Sequence, residues 1–196
     1  YVSPLGNISD VQLGVPVAIN IENGIAAMAL AQLGGVSNED IKTGMASFRG
    51  VDRRFDFKIK TDKVVYLSDY AHHPEEIKQS ILSMRALYGD KKLTGIFQPH
   101  LYTRTRDFYQ EFAESLSLLD EVILTDIYPA RELPIEGVSS QLIYDNLRPD
   151  IDKILCTKEE VIDILKKKEI EVLMTLGAGD IENYAPQICE ILNERC

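Results

Sequence analysis

The chain has 196 residues, 45% hydrophobic and 27% charged, with only 8 prolines and 12 glycines, a composition that fits one to two globular domains and excludes disordered, collagen-like or coiled-coil segments. Its 31 acidic against 21 basic side chains leave a formal net charge of -10, which opposes binding to nucleic-acid backbones or anionic membranes, so any anionic ligand has to be held by a local basic cluster. The longest uncharged stretch, Asn23 to Asn38, is too short and too polar to span a bilayer, and three sparse cysteines (Cys156, Cys189, Cys196) without C-x-x-C spacing indicate neither a disulfide framework nor a zinc site, so the expected compartment is a reducing cytoplasm.

The segment from Tyr1 to Asp10 carries Pro4, Gly6 and Asn7 without strand or helix periodicity, and the chain is expected to begin partway through a longer polypeptide. Val11 to Asn20 reads as a short strand. Ile25, Met28, Ala29 and Leu33 then share one face of a helix that Gly34 and Gly35 terminate. Ser37, with Asp40 three residues on, opens a second helix through a variant of the capping box, and Ile41, Met45 and Phe48 give it an apolar stripe. These first fifty residues are expected to leave an apolar face uncovered.

From Phe55 the period changes to two. Phe55, Phe57 and Ile59 alternate with Asp56, Lys58 and Lys60, and after Thr61-Asp62 the run Val64 to Leu67 completes a hairpin. Four further strand-like runs follow, at Leu93 to Phe97, Glu121 to Thr125, Lys153 to Cys156 and Ile170 to Leu176. Helical patterns separate them: Ile77, Ile81, Met84 and Tyr88 behind Pro74; Phe108, Phe112, Leu116 and Leu119; a short helix near Ser139 to Leu147; one capped by Thr157 and Glu160 that ends in Lys166 to Lys168; and Ile181, Tyr184, Ile188 and Ile191. Alternation of this kind predicts an α/β fold: a mostly parallel sheet of about six strands with helices on both faces and the Phe55 to Lys60 strand as its antiparallel member.

Open parallel sheets bind ligands beyond the carboxyl ends of their strands. There the sequence places Ser68-Asp69-Tyr70-Ala71-His72-His73-Pro74, Gln98-Pro99-His100-Leu101-Tyr102-Thr103-Arg104-Thr105-Arg106, Asp126-Ile127-Tyr128-Pro129-Ala130-Arg131-Glu132 and Gly177-Ala178-Gly179-Asp180, with all three histidines. Asp69 suits either a strand stop or helix cap, or an acceptor for ribose hydroxyls. His72 and His73 suit packing and capping as well as binding. His100, Arg104 and Arg106 concentrate positive charge within seven residues, where a carboxylate or phosphate would be drawn, unless the arginines pair with Asp107 and Glu111. Asp180 is expected to cap a helix entry, since Glu182 stands where a dinucleotide fingerprint needs its third glycine. Arg53 and Arg54 form either a solvated linker or a clamp on a ligand at a domain junction. No glycine is followed by lysine and no G-x-S-x-G occurs, so neither a P-loop nor an acyl-enzyme nucleophile is present, and no catalytic or metal-binding residue is expected in the chain.

Taken in order, Asn20-x-x-Asn23, Ser47-Phe48-Arg49-Gly50-Val51-Asp52-Arg53-Arg54-Phe55, Asp69-Tyr70-Ala71-His72-His73-Pro74, Phe97-Gln98-Pro99-His100, Thr103-Arg104-Thr105-Arg106-Asp107, Tyr128-Pro129-Ala130 and Gly177-Ala178-Gly179-Asp180 resemble the C-terminal part of the Mur ligases of bacterial cell-wall synthesis, in the branch that adds L-alanine to UDP-N-acetylmuramate. The resemblance implies that residues 1–50 are the C-terminal fragment of a central ATPase domain, helical here, and that residues 51–196 are the Rossmann-like C-terminal domain. It implies an ATP- and Mg2+-dependent reaction through an acyl phosphate, carried out in the full-length protein and not by this segment alone. By the same resemblance Asn20, Asn23, Arg54 and Asp69 correspond to nucleotide contacts, and Tyr70, His72, His100 and Arg104 to positions around the incoming alanine. Two positions depart from the pattern: Ile19 stands where the family usually has histidine, and Leu101 where related ligases commonly have arginine. The alternatives are the related ligase that recycles murein tripeptide and a stand-alone, non-catalytic nucleotide- or amino-acid-binding domain.

Overall fold

In a computed structural model of the chain, which describes residues 1–15 and 17–195 and gives Ala18 and Ile19 by their backbone alone, the first of two units, Tyr1–Val51, is built on helices α1 (Ala18–Leu33) and α2 (Asn38–Ser47). The strand expected over Val11 to Asn20 is absent among the described residues. Val17 is an extended N-cap, and Asn20 already lies in the first turn of α1. A short apolar run is ambiguous between strand and helix, and here its second half continues the longer helical pattern. Gly34 and Gly35 end α1 as expected: Gly35 takes φ 78°, and the amides of Gly35 and Val36 return to the carbonyls of Gln32 and Ala31 at 3.0 Å each, which is a Schellman arrangement.

The Ser37 hydroxyl accepts from the Asp40 amide at 3.2 Å and donates to its carboxylate at 2.7 Å, starting α2. The helices meet where Gly24 lacks a side chain, the position a Cβ would take lying 2.8 Å from Met45 Cε. Met28 and Ile41 join Ile8 in a small core. That contact turns Ile25 outward and leaves Leu33 72% exposed, so the face expected to pack is only partly used. Phe48 is also exposed, because α2 ends at Ser47 and Phe48 is extended.

The second unit, beginning at Asp52, is a six-stranded sheet of β1 (Asp56–Lys60), β2 (Val65–Asp69), β3 (Leu93–Phe97), β4 (Glu121–Leu124), β5 (Asp152–Leu155) and β6 (Val172–Leu176) in the order β1-β2-β6-β3-β4-β5. Only β1 runs antiparallel, paired with β2 across an irregularity between Phe57 and Ile59. β3 and β6 are buried at every position, as their largely apolar sequences require of strands covered on both faces.

Helices α3 (Pro74–Leu87), α4 (Tyr102–Leu116) and α5 (Gln141–Asn146) pack in a row, while α6 (Val161–Lys166) packs with α7 (Ala185–Asn193). Tyr66, Ile96, Ile123 and Leu173 form one core with Val161, Leu165, Ile188 and Leu192 of α6 and α7. The alternate positions face the other helices: Phe97 lies 5.2 Å from Phe112 between ring centroids, and Gly95 leaves room for Leu119, whose Cδ1 would be 2.3 Å from a Cβ there. Each parallel pair needs a crossover. The chain passes from β2 to β3, works outward to β5, and returns to fill the vacant place between β2 and β3 with β6.

At the opposite end of the sheet the Glu121 side chain, 2% exposed, accepts from the Thr94 hydroxyl at 3.2 Å and is paired with Lys92 at 3.2 Å and with Lys168. Lys92 also reaches Asp152 at 3.2 Å. A buried carboxylate is tolerated only with such partners. Glu121→Ala should cost about 2–3 kcal/mol, at or just below the range for breaking fully buried pairs because water can reach the lysines, read as a lower urea midpoint at unchanged m-value.

Candidate functional site

The strand ends stay hydrogen-bonded one step beyond the sheet, and this fixes the loops at its carboxyl edge. The Gly177 amide donates to Asp69 O at 3.2 Å, Gln98 N to Leu176 O at 3.1 Å, Tyr128 N to Pro99 O at 2.8 Å and Leu101 N to Tyr128 O at 3.0 Å. Gly177 has φ 140°, and a Cβ there would lie 2.7 Å from Gln98 O, so both conformation and space require glycine.

Gln98, buried at the end of β3, joins the loops after β3 and β6. Its Nε2 donates to the Asp180 carboxylate at 2.7 Å, and its Oε1 accepts from the Ile181 amide at 3.0 Å. Asp180 does not cap a helix entry as the sequence suggests. Its carboxylate is taken by Gln98 and by Lys158 at 2.5 Å, and the 3-10 turn it begins has Gly179 at its N-cap. Burial pushes Asp180 up, but Lys158 and Gln98 outweigh it and hold the group below the usual carboxylate range.

Across this edge runs a row of cationic and aromatic groups. Arg53, at φ 62°, places its guanidinium 4.7 Å from the Tyr70 ring centroid and donates to Gly179 O at 3.2 Å, and the Arg54 guanidinium is 5.9 Å from the same ring. Tyr70 meets His72 at 5.1 Å, His72 meets His100 edge-on at 5.9 Å, and His100 stacks with Tyr128 at 5.6 Å and 22°. His72 Nδ1 lies 3.0 Å from Tyr70 O and 3.3 Å from the Glu76 carboxylate. Glu76 also takes the amides of His72 and His73, at 3.0 and 3.2 Å, at the start of α3.

Two buried polar atoms in this row have no partner: His100 Nδ1 and Arg104 Nη1. Burial comes first among the causes that lower the His100 pKa from 6.5, followed by the positive charges of Arg104 and His72, with Glu132 opposing. A buried guanidinium nitrogen left without an acceptor is costly, and it points to a ligand that supplies one.

The structure therefore brings Tyr70, His72, His100 and Arg104 together, with Arg54 over the Tyr70 ring. Asp69 is turned elsewhere. Its carboxylate accepts from the Phe55 amide at 3.3 Å and from the Ser80 hydroxyl, and burial raises its pKa against those bonds. Asn20 and Asn23 belong to the first unit, where Asn20 Nδ2 donates to Val15 O at 3.2 Å and Asn23 is exposed. Arg106 forms the surface pair with Asp107, at 2.7 and 3.1 Å, that the sequence left open for both arginines. Gln98, Tyr128 and Glu132 were quoted in motifs without a role. Gln98 was detectable as a polar residue directly behind a strand that is apolar but for Thr94, whereas Glu132 acts on Thr103 across 29 positions and gives no local signal.

Two measurements check this geometry. Because protonating His100 is opposed in the folded state, its imidazole should titrate below 6.5 by NMR, with Arg104→Gln moving the midpoint upward. Its share of stability is present above the unfolded value and lost as pH falls. Gly177→Ala should destabilise by about 1–3 kcal/mol through backbone strain and shift the Ile181 amide resonance.

Residues 53–181 match the family model described as "Mur ligase, glutamate ligase domain". The UDP-N-acetylmuramate--L-alanine ligase of Phocaeicola vulgatus is 77% identical over 195 residues, which is 100% of this chain and 43% of that protein. The protein of the same name from Parabacteroides distasonis is 59% identical over 98% of this chain and 41% of its own length. Among solved structures, UDP-N-acetylmuramate-alanine ligase from Thermotoga maritima superposes with a TM-score of 0.79 at 26% identity, over 95% of this chain and 40% of that one. The chain thus spans about two fifths of the length of the relatives it matches. With the family model covering the whole carboxyl edge of the sheet from Arg53 to the turn after β6, the chain belongs to the Mur ligase family.

Proposed function

We propose that the chain is the C-terminal part of an ATP-dependent ligase of the cytoplasm that joins L-alanine to UDP-N-acetylmuramate. The observation that carries this reading is that Arg104 Nη1 and His100 Nδ1 are both buried without a partner, the Arg104 charge acting on His100; its support is the 77% identity to a protein named for that reaction. Arg104 offers a planar donor fork matched to the α-carboxylate of an amino acid. His100, kept neutral by burial and by Arg104, can accept a hydrogen bond from the amine at Nδ1 in its Nε2–H tautomer. Both ends of the amino acid would then be fixed, with the amine directed toward an acyl phosphate of the UDP-sugar and phosphate leaving as the amide forms. The rings of Tyr70, His72 and Tyr128 line this position and would exclude water from it.

Asn20, Asn23, Arg54 and Asp69 are assigned to the nucleotide. For Asp69 the role is indirect in part, since its carboxylate holds the Phe55 amide and thereby the Arg53-Arg54 segment. Among the described residues no group of three or more His, Cys, Asp or Glu side chains is placed to hold a metal ion. By the family resemblance, the Mg2+ and ATP phosphates are assigned to parts of the full-length protein outside this chain, and residues 1–50 to the end of a central ATPase domain.

In the full-length protein, ATP-dependent ligation of L-alanine is expected, with none from residues 1–196 alone. Arg104→Ala should raise KM for alanine about 10- to 100-fold, the worth of a hydrogen-bonded charge pair, with KM for ATP little changed. Equal effects on both constants, or preference for murein tripeptide over alanine, would overturn the reading.

A further inference from the structure

The first turn of α4 has no cap of its own. Its N-cap residue, Leu101, sits at φ 75°, ψ 135° with a side chain that can accept nothing, so the free amides of the turn need an acceptor from elsewhere. Glu132, in the loop after β4, supplies it. Its carboxylate accepts from the Thr103 amide at 3.0 Å and from the Thr103 hydroxyl. The loop is itself tightly turned, with Ala130 at φ 51° and the Glu132 amide donating to Pro129 O at 2.9 Å.

This clamp bears on a turn that the rest of α4 does not orient. Phe108 has non-helical angles, φ -130° and ψ 17°, which separates the turn before it from the second half of the helix, where Phe112, Ala113 and Leu116 are buried in the core. Apart from Glu132, the turn is held by Leu101 N on Tyr128 O at 3.0 Å and by the amide and hydroxyl of Thr105 on Leu101 O at 3.1 and 2.9 Å. Arg104 lies between the two tethered threonines.

Resting on the reading that Arg104 receives the amino-acid carboxylate, we propose that Glu132 is the positioning residue that aims Arg104. It holds Thr103 in place, so the guanidinium is directed before substrate arrives. By occupying the Thr103 amide at the start of α4 it also leaves the guanidinium, and not the helix end, to meet an incoming carboxylate.

The test is steady-state kinetics on the full-length protein with Glu132→Ala, Glu132→Gln and the double variant with Arg104→Ala. Glu132→Ala should raise KM for L-alanine about tenfold, with kcat and KM for ATP within about twofold, since misplacement of a positioned group by an ångström can cost up to about a hundredfold and Arg104 keeps its tethers through Leu101 and Thr105. Glu132→Gln, which can still accept from the Thr103 amide, should recover most of the loss. On the Arg104→Ala background Glu132→Ala should add less than about twofold, because both changes act through one guanidinium. A full tenfold effect on that background, or equal changes in the two KM values, would overturn the proposal. A wild-type protein without alanine-dependent turnover would instead sink the underlying reading. Amide exchange then decides the clamp by itself: exchange at Thr103 that accelerates in Glu132→Ala, with Phe112 to Leu116 unchanged, supports it, and unaltered exchange refutes it.

Discussion

With β6 hydrogen-bonded to β2 on one side and β3 on the other, three loops leave the sheet side by side at its carboxyl edge, and the site follows from that crowding. Gly177 is needed because Gln98 O stands where its Cβ would be. Gln98 must be an amide because one neighbour offers a carboxylate and the other an N–H. Tyr70 leaves β2 beside the turn that receives Arg53 through Gly179 O. A strand added at an outer edge would have separated these groups. The crevice where strand order reverses is the general ligand position of open α/β sheets.

The electrostatic character of the edge runs against that of the chain. In a protein of net charge -10, Arg53, Arg54 and Arg104 converge on a row of rings, and the one histidine among them with an unpartnered buried nitrogen is disfavoured as a cation by burial and by Arg104. Glu132 enters as a counter-charge, but its carboxylate is spent on the first turn of α4. What remains open are donors and a neutral acceptor, suited to a zwitterion whose carboxylate and amine need different partners. Arg53, Phe55 and Leu101 all have positive φ, an arrangement that costs about 1–2 kcal/mol per residue and clusters at functional sites where surrounding structure holds it.

The strands and helices of the second unit were legible in the sequence because helical stripes alternate regularly with short strand-like runs. The stripe Ile77, Ile81 and Met84 repeats at helical spacing and is buried as read, although Tyr88, read with it, lies past the helix end and is only half-buried, and the short run Leu93 to Phe97, placed as a strand by its position between helical patterns, is buried throughout. Val11 to Asn20 misled because a short apolar run carries no period of its own. Leu33 and Ile25 misled because Gly24, not the bulkiest residues, decided which side of α1 meets α2. Asp180 was read as a cap from its place before a helix, but Gln98, 82 positions away, claims its carboxylate.

The sequence by itself determined the alternation of strand and helix, the edge at which chemistry-bearing residues gather, and the family resemblance that spacing and residue type carry, all of which are set by neighbours a few residues apart. Only the tertiary structure decided that Arg104 buries one guanidinium nitrogen without a partner while Arg106 pairs at the surface, that Asp69 faces Ser80, and that Glu132 clamps α4. Those outcomes depend on which groups compete for the same donors and acceptors across loops far apart in the chain. Residue order does not reveal that competition until the sheet has set the distances.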